Sequence, residues 1–362
     1  MELNIKENQF KTNNFDLLRL FAALEVLLLH TYDRLDVNTP FLFEIMKNFP
    51  GVAMFFVMSG FLISASLERN GDLKNYFKNR TFRIFPALWI CIILTVIVIS
   101  TITEVNFLSV NGLAWFISQL VGLIYTPAFL SVFGFGTYNG SLWTIPLELQ
   151  FYIVLPILYF IIDKFTKKTK TKTIFIVLSF FVFGILTYSI KTYYDPLDFN
   201  GENTPKLLKY TFIPNIYLFL AGVVFQRLNI YRSRFVKGKG LLWLIAYLLV
   251  SFLIPTTNNS FIFKLLFLGA TTISLAYSYP SLSSKILRGN DISYGVYIYH
   301  GLVLGVFVEL ELTRNPLYPT LLLSITLILA LMSWYFIEKP IIQRKKKSMP
   351  MLEEKGSRSQ VE

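Results

Sequence analysis

A single cysteine and two histidines leave little room for several kinds of chemistry in this 362-residue chain. Cys91 stands alone within an apolar run, which excludes a disulfide framework and a thiolate metal site. The two histidines, His30 and His300, lie far apart in the chain, so a zinc site would have to recruit carboxylates at no recognisable spacing, and no metal is expected. Charge is scarce too: Asp, Glu, Lys and Arg make up 15% of the residues, against about a quarter in an ordinary soluble domain. No long Pro, Gly and Ser stretch divides the sequence and no internal repeat is evident. A pair of soluble domains joined by a linker is thereby excluded.

What is abundant is apolar surface. Hydrophobic residues make up 54% of the chain, with 35 Phe and 20 Tyr. The composition predicts an all-α, polytopic membrane bundle, because only helices and closed barrels satisfy their backbone groups within lipid. Apolar runs fall near 15–33, 51–67, 84–103, 142–162, 173–190, 208–226, 240–254, 260–279, 292–309 and 318–337. A further run, 113–130, is interrupted by Pro127. Residues 1–14 are polar and of mixed charge, unlike a cleavable signal, so the first run is expected to stay as a membrane helix. With ten crossings and both termini in the cytoplasm, most of the 34 Lys and Arg fall on the cytoplasmic side, as the positive-inside rule requires. An eleventh crossing would put the Lys164–Lys172 cluster outside, so 113–130 is read as re-entrant or surface-lying. The net charge of +12 then follows from topology and anionic headgroups, and no nucleic-acid partner is needed. The chain divides into a cytoplasmic segment 1–14, a membrane domain 15–340 and a basic tail 341–362.

Ionisable groups inside apolar runs are costly enough to mark function. Arg19 and His30 lie eleven residues apart, which on a helix returns them to within ~20° of one face. Both are expected to look at one cavity. Around them lie further short constellations: Phe15-Asp16-Leu17-Leu18-Arg19 leading to Leu28-Leu29-His30; Phe55-Phe56-Val57-Met58-Ser59-Gly60; Asn79-Arg80-Thr81-Phe82-Arg83; Leu142-Trp143-Thr144-Ile145-Pro146-Leu147-Glu148-Leu149-Gln150-Phe151-Tyr152; Asp291-Ile292-Ser293-Tyr294-Gly295-Val296-Tyr297-Ile298-Tyr299-His300; and Tyr335-Phe336-Ile337-Glu338-Lys339-Pro340.

Taken in this order, these stretches closely resemble acyltransferase family 3, from Phe15 to Pro340. The resemblance implies transfer of an acyl group, usually acetyl from cytoplasmic acetyl-CoA, to a hydroxyl of a sugar or lipid-linked glycan precursor. It implies a donor substrate, acetyl-CoA or another acyl-CoA, with no permanently bound cofactor, and a multi-pass protein of a bacterial-type cytoplasmic membrane. Family members often carry an extra extracytoplasmic hydrolase-like domain. The basic tail after Pro340 is too short for one, so the bundle is expected to complete the reaction or hand on to a separate protein. Arg19-Leu20 replaces the family's common Arg-Gly pair.

Depth along the helices is an independent guide. His30 lies ~22 Å along the helix from Phe15, in the outer half, whereas Arg19 lies about one turn inside. His30, Phe55, Phe56, Trp143 and Glu148 are expected to form one layer. Arg80 and Arg83, on adjacent turns, are spaced to grip anionic phosphates. Imidazole is suited to take the proton of a sugar hydroxyl, so His30 is the candidate general base, balanced by Glu148 or by Asp33. An acyl-histidine intermediate at His30 remains open.

Plainer readings stand beside these. His30 can be an interfacial histidine, Arg80 and Arg83 topology anchors, and Arg19 a snorkelling cation paired with Asp16. Phe55 and Phe56 can be packing, Ser59-Gly60 a contact between helices, and Trp143 an interface belt residue. His300, near Tyr294, Tyr297 and Tyr299, can be satisfied by tyrosine hydroxyls or lie in the site itself. Glu338 with Lys339 reads as structural. A transporter or flippase of a glycan or small solute is the alternative function.

Overall fold

The computed structural model describes residues 13–193, 208, 211–257, 260–279 and 281–348. Within them the regular structure is helical: α1 (Phe15–Arg34), α2 (Gly51–Asn70), α3 (Leu73–Ile102), α4 (Val110–Leu120), α5 (Thr144–Phe165), α6 (Thr169–Tyr193), α7 (Ile216–Arg227), α8 (Gly240–Leu253), α9 (Phe261–Ala276), α10 (Ser293–Glu309), α11 (Tyr318–Ser333) and α12 (Lys339–Ser348). A wider helical turn, Trp334–Glu338, joins the last two. Residues 1–12, most of the α6–α7 connection with Lys206 and Lys209, and the tail from 349 onward lie outside the described residues.

Each of the ten apolar runs is helical at its centre. Five stretches are long and apolar enough to cross a membrane: Gly51–Arg69, Leu73–Ile102, Gly140–Phe165, Thr169–Tyr193 and Tyr318–Arg344. The chain is a multi-pass membrane protein. The helices α7, α8 and α9 are apolar but shorter, at 12, 14 and 16 residues. Within the run at 208–226 the helix α7 begins at Ile216, two residues after Pro214. The interrupted run at 113–130 yields α4, whose 11 residues span ~16 Å, about half a hydrocarbon core.

The helix α3 begins well before its apolar run. Asp72 caps it by accepting from the backbone N–H of Lys74 and Asn75, and the Lys- and Arg-rich stretch that follows favours helix although it is polar. Arg80 and Arg83 therefore ride on one rigid rod. At the opposite side of the bundle, Glu25 on α1 accepts from the backbone N–H of Gly51 at 2.8 Å. A buried carboxylate thus meets the positive end of α2, a favourable placement for both.

The helices α2 and α7 make the closest crossing. Gly60 of α2 lies against the Phe219 carbonyl, and Gly222 of α7 lies against the Val57 carbonyl. The approach is reciprocal, and neither position has room for a Cβ. Small residues let membrane helices approach this closely and gain dispersion contacts that lipid cannot outcompete. Aromatic rings fill the flanks: Phe151 of α5 stacks on Phe219 at 4.7 Å and meets Phe56 edge-on at 5.1 Å. Gly60→Val and Gly222→Val are each expected to cost about 1–3 kcal/mol through overpacking. Gly184→Val, on α6 with open space around it, is expected to be near neutral. Thermal unfolding in detergent reads the difference, and parental stability for both crossing variants would refute the close-packing account.

Candidate active site

A cavity of about 320 Å³ opens between α1, α2, α3, α5 and α10. Its walls carry Arg19 from α1, Phe55, Phe56 and Ser59 from α2, Asn79, Arg80 and Arg83 from α3, and Glu148 and Tyr152 from α5. Tyr294 and Tyr297 of α10 close it, with Thr144 opposite. Ile342 of α12 also lines it.

Arg83 and Arg19 are held by carboxylates. Arg83 meets Asp291 at 2.5 Å and Glu338 at 4.0 Å, while Arg19 meets Asp16 at 3.2 Å and Asp291 at 3.7 Å. Asp291 precedes α10 and also accepts from the Ser293 backbone N–H and hydroxyl. Burial opposes its charge, but Arg83 and Arg19, helped by Ser293, hold its carboxyl below the usual carboxylate range. Glu338 accepts from Ser333 at 3.1 Å, and neighbouring Lys339 and Trp334 both donate to Asn290. Arg83 thus differs from the expected free phosphate grip.

Arg80 is placed differently. It makes no ion pair among the described residues, and its buried Nε has no hydrogen-bond partner there. Its guanidinium lies over the rings of Tyr76 and Tyr152, at 5.7 and 5.5 Å. The Asn79 side-chain oxygen, on the same wall, is also buried without a partner. Glu148 accepts from the Tyr152 hydroxyl one turn along α5.

His30 does not line this cavity. It turns toward α10, where its Nδ1 lies 3.3 Å from Nε2 of His300, and the Nδ1 of His300 lies 3.2 Å from the Val296 carbonyl. Tyr297 stands between: its ring is 5.4 Å from Phe55 on the cavity side and 5.9 Å from His300 on the other. Its hydroxyl bonds to Thr144 at 2.8 Å. The expected layer of His30 with Glu148 is therefore two compartments sharing one ring. Arg19 and His30 share a helix face but not a cavity, because α10 covers the outer part of α1. Asp33 is exposed and faces Arg34 at 3.5 Å, so His30 meets a histidine where a carboxylate was expected. His300 is satisfied by His30 and a backbone carbonyl, not by a tyrosine hydroxyl.

Trp143 is half-buried against the core and outside the cavity wall, and Gly60 serves the α2–α7 crossing. Asp16 does not line the cavity and pairs with Arg19, which does. Asp291, Thr144, Tyr152 and Asn79 fall within the family-like stretches, yet sequence reasoning assigned none of them a role. Asp291 was the findable one: an aspartate before an apolar run is a helix-start signal, and an intramembrane arginine needs an anion somewhere.

The sequence profile described as an acyltransferase domain matches residues 12–335. A protein of Rhizobium leguminosarum bv. viciae named nodulation protein 10 is 30% identical over 91% of this chain and 93% of its own length. An O-acetyl transferase of Shigella phage Sf6 is 29% identical over 92% of this chain and 97% of its own. The peptidoglycan O-acetyltransferase OatA of Listeria monocytogenes is 25% identical over 81% of this chain, which matches only 51% of that longer protein. No solved structure matches. This helical membrane bundle, matched by that profile over nearly its whole length, belongs to acyltransferase family 3.

Proposed function

We propose that the chain is a membrane O-acetyltransferase that moves an acetyl group from acyl-CoA, taken from the cytoplasm, to a hydroxyl of a sugar or lipid-linked glycan. The cavity carries this reading: it has an unpaired arginine at one end and reaches Tyr297, the neighbour of the histidine pair, at the other. The named O-acetyltransferases among its relatives support the acetyl group and the hydroxyl acceptor. Family membership favours acyl transfer over the transport reading.

Ten crossings, with both termini in the cytoplasm of a bacterial-type cell, put Arg80 and Ile342 at the inner face. The donor's phosphates meet Arg80, whose free guanidinium edge is a charge-assisted donor, and the thin thiol arm extends past Arg19 toward Tyr297. His30 is the general base. The acceptor oxygen bonds to the thioester carbon, its proton passes to His30, the carbon–sulfur bond breaks, and the thiolate recovers the proton. Glu148, bonded to Tyr152, shapes the arm's path.

His30→Ala is expected to lower transfer by 10²-fold or more, measured as acyl-CoA consumption by purified, correctly inserted protein with a glycan acceptor. Full activity in that variant would reject the base assignment. The two arginines are expected to fail differently. Arg80→Ala should raise the KM for the donor about tenfold or more with stability unchanged, whereas Arg83→Ala removes the nearer cation of Asp291 and the cation facing Glu338 and should cost about 3–5 kcal/mol of stability. Steady-state kinetics beside thermal unfolding separates them, and the reverse pattern would sink the assignment. For topology, Lys168→Cys in a Cys91→Ser background should react with an impermeant maleimide in inverted vesicles and not in right-side-out ones.

A further inference from the structure

The hydrogen bond between the chain's two histidines runs in one direction. His300 Nδ1 lies 3.2 Å from the Val296 carbonyl, and a carbonyl only accepts, so this nitrogen carries a proton. A neutral ring then leaves His300 Nε2 as an acceptor, and the atom facing it at 3.3 Å, His30 Nδ1, is the donor. The lone pair of His30 is thereby confined to Nε2, the nitrogen turned away from His300. His300 is fully buried with the Tyr297 ring against it, whereas His30 is only partly buried. One ring is clamped and the other is presented.

We infer that His300 is the positioning residue of the transfer, fixing the tautomer and direction of the His30 ring so that Nε2 meets the acceptor hydroxyl. The inference rests on His30 being the base. In hydrolytic triads a carboxylate does this work for the catalytic imidazole. Here Asp33 is paired with Arg34, and Glu148 with Tyr152, so neither is bonded to the ring. A neutral imidazole acceptor suits the setting, because it holds the partner ring without bringing a charge into an apolar bundle. The proton balance is closed: the hydroxyl proton goes to His30 Nε2 as the oxygen–carbon bond forms. The cationic ring keeps donating through Nδ1 to His300, and Nε2 then returns the proton to the departing thiolate. His300 stays neutral throughout.

With only two histidines, nitrogen-15 spectra of the intact protein in detergent are simple to assign, and both rings are expected to be protonated at Nδ1 and bare at Nε2. His300→Leu should lower kcat ~10²-fold with the donor KM unchanged. His300→Gln, whose side-chain oxygen accepts from His30 Nδ1, should recover most of that loss. A His30 ring protonated at Nε2, parental kcat in His300→Leu, or equal losses in the Leu and Gln variants would each overturn the inference. The spectrum decides alone if the Leu variant does not fold. Full activity in His30→Ala rejects the base reading itself, whereas an inactive His30→Ala beside an unimpaired His300→Leu rejects only the positioning role.

Discussion

Asp291 sits where α1, α3 and α10 converge, and its carboxylate meets Arg83 and Arg19 together. In an apolar bundle an isolated guanidinium or carboxylate is expensive, so the three groups stabilise the fold chiefly by cancelling what each would cost alone. The consequence reaches beyond charge. Asp291 also accepts from the first N–H of α10, that of Ser293, which fixes the register at which that helix enters. Tyr294, Tyr297 and His300 follow at one-turn steps along it, so the anchor that neutralises two arginines also sets where the cavity wall and the histidine partner fall.

This division of labour separates two arginines that look alike in sequence. Arg80 and Arg83 are three residues apart on one helix, yet Arg83 is enclosed by Asp291 and Glu338 while Arg80 rests on two tyrosine rings. Aromatic faces attract a cation without saturating its N–H donors, so Arg80 retains bonding capacity toward an incoming anion. The difference arises from partners far away in the chain, not from anything in the local pattern.

The same distinction governs how much was legible beforehand. Apolar run length locates ten stretches that are helical at their centres. Charged stretches are invisible to an apolar window, which is why α3 begins at Leu73 and not at residue 84. Arg19, Phe55, Phe56, Ser59, Arg80, Arg83, Glu148 and Tyr294, all within the family-like stretches, line one cavity. The pairing of His30 with His300 was not anticipated, since contact between distant helices depends on rotation about their axes, which single-sequence spacing does not fix. The shared helix face of Arg19 and His30 did not put them in one cavity for the same reason: a shared face says nothing of what a second helix lays across it.

The bond between His30 and His300 joins a helix made early to one made late. At about 5–20 residues per second, α10 leaves the ribosome roughly a quarter of a minute to a minute after α1. Through that interval Arg19 has only Asp16, its neighbour on the same helix, and Glu25 acquires the end of α2 soon after its own synthesis. The local pairs cover the charges of the nascent chain, while the long-range ones complete it. His30 therefore gains its partner only when nearly the whole bundle exists, and a truncated translation product lacks the histidine pair along with α10.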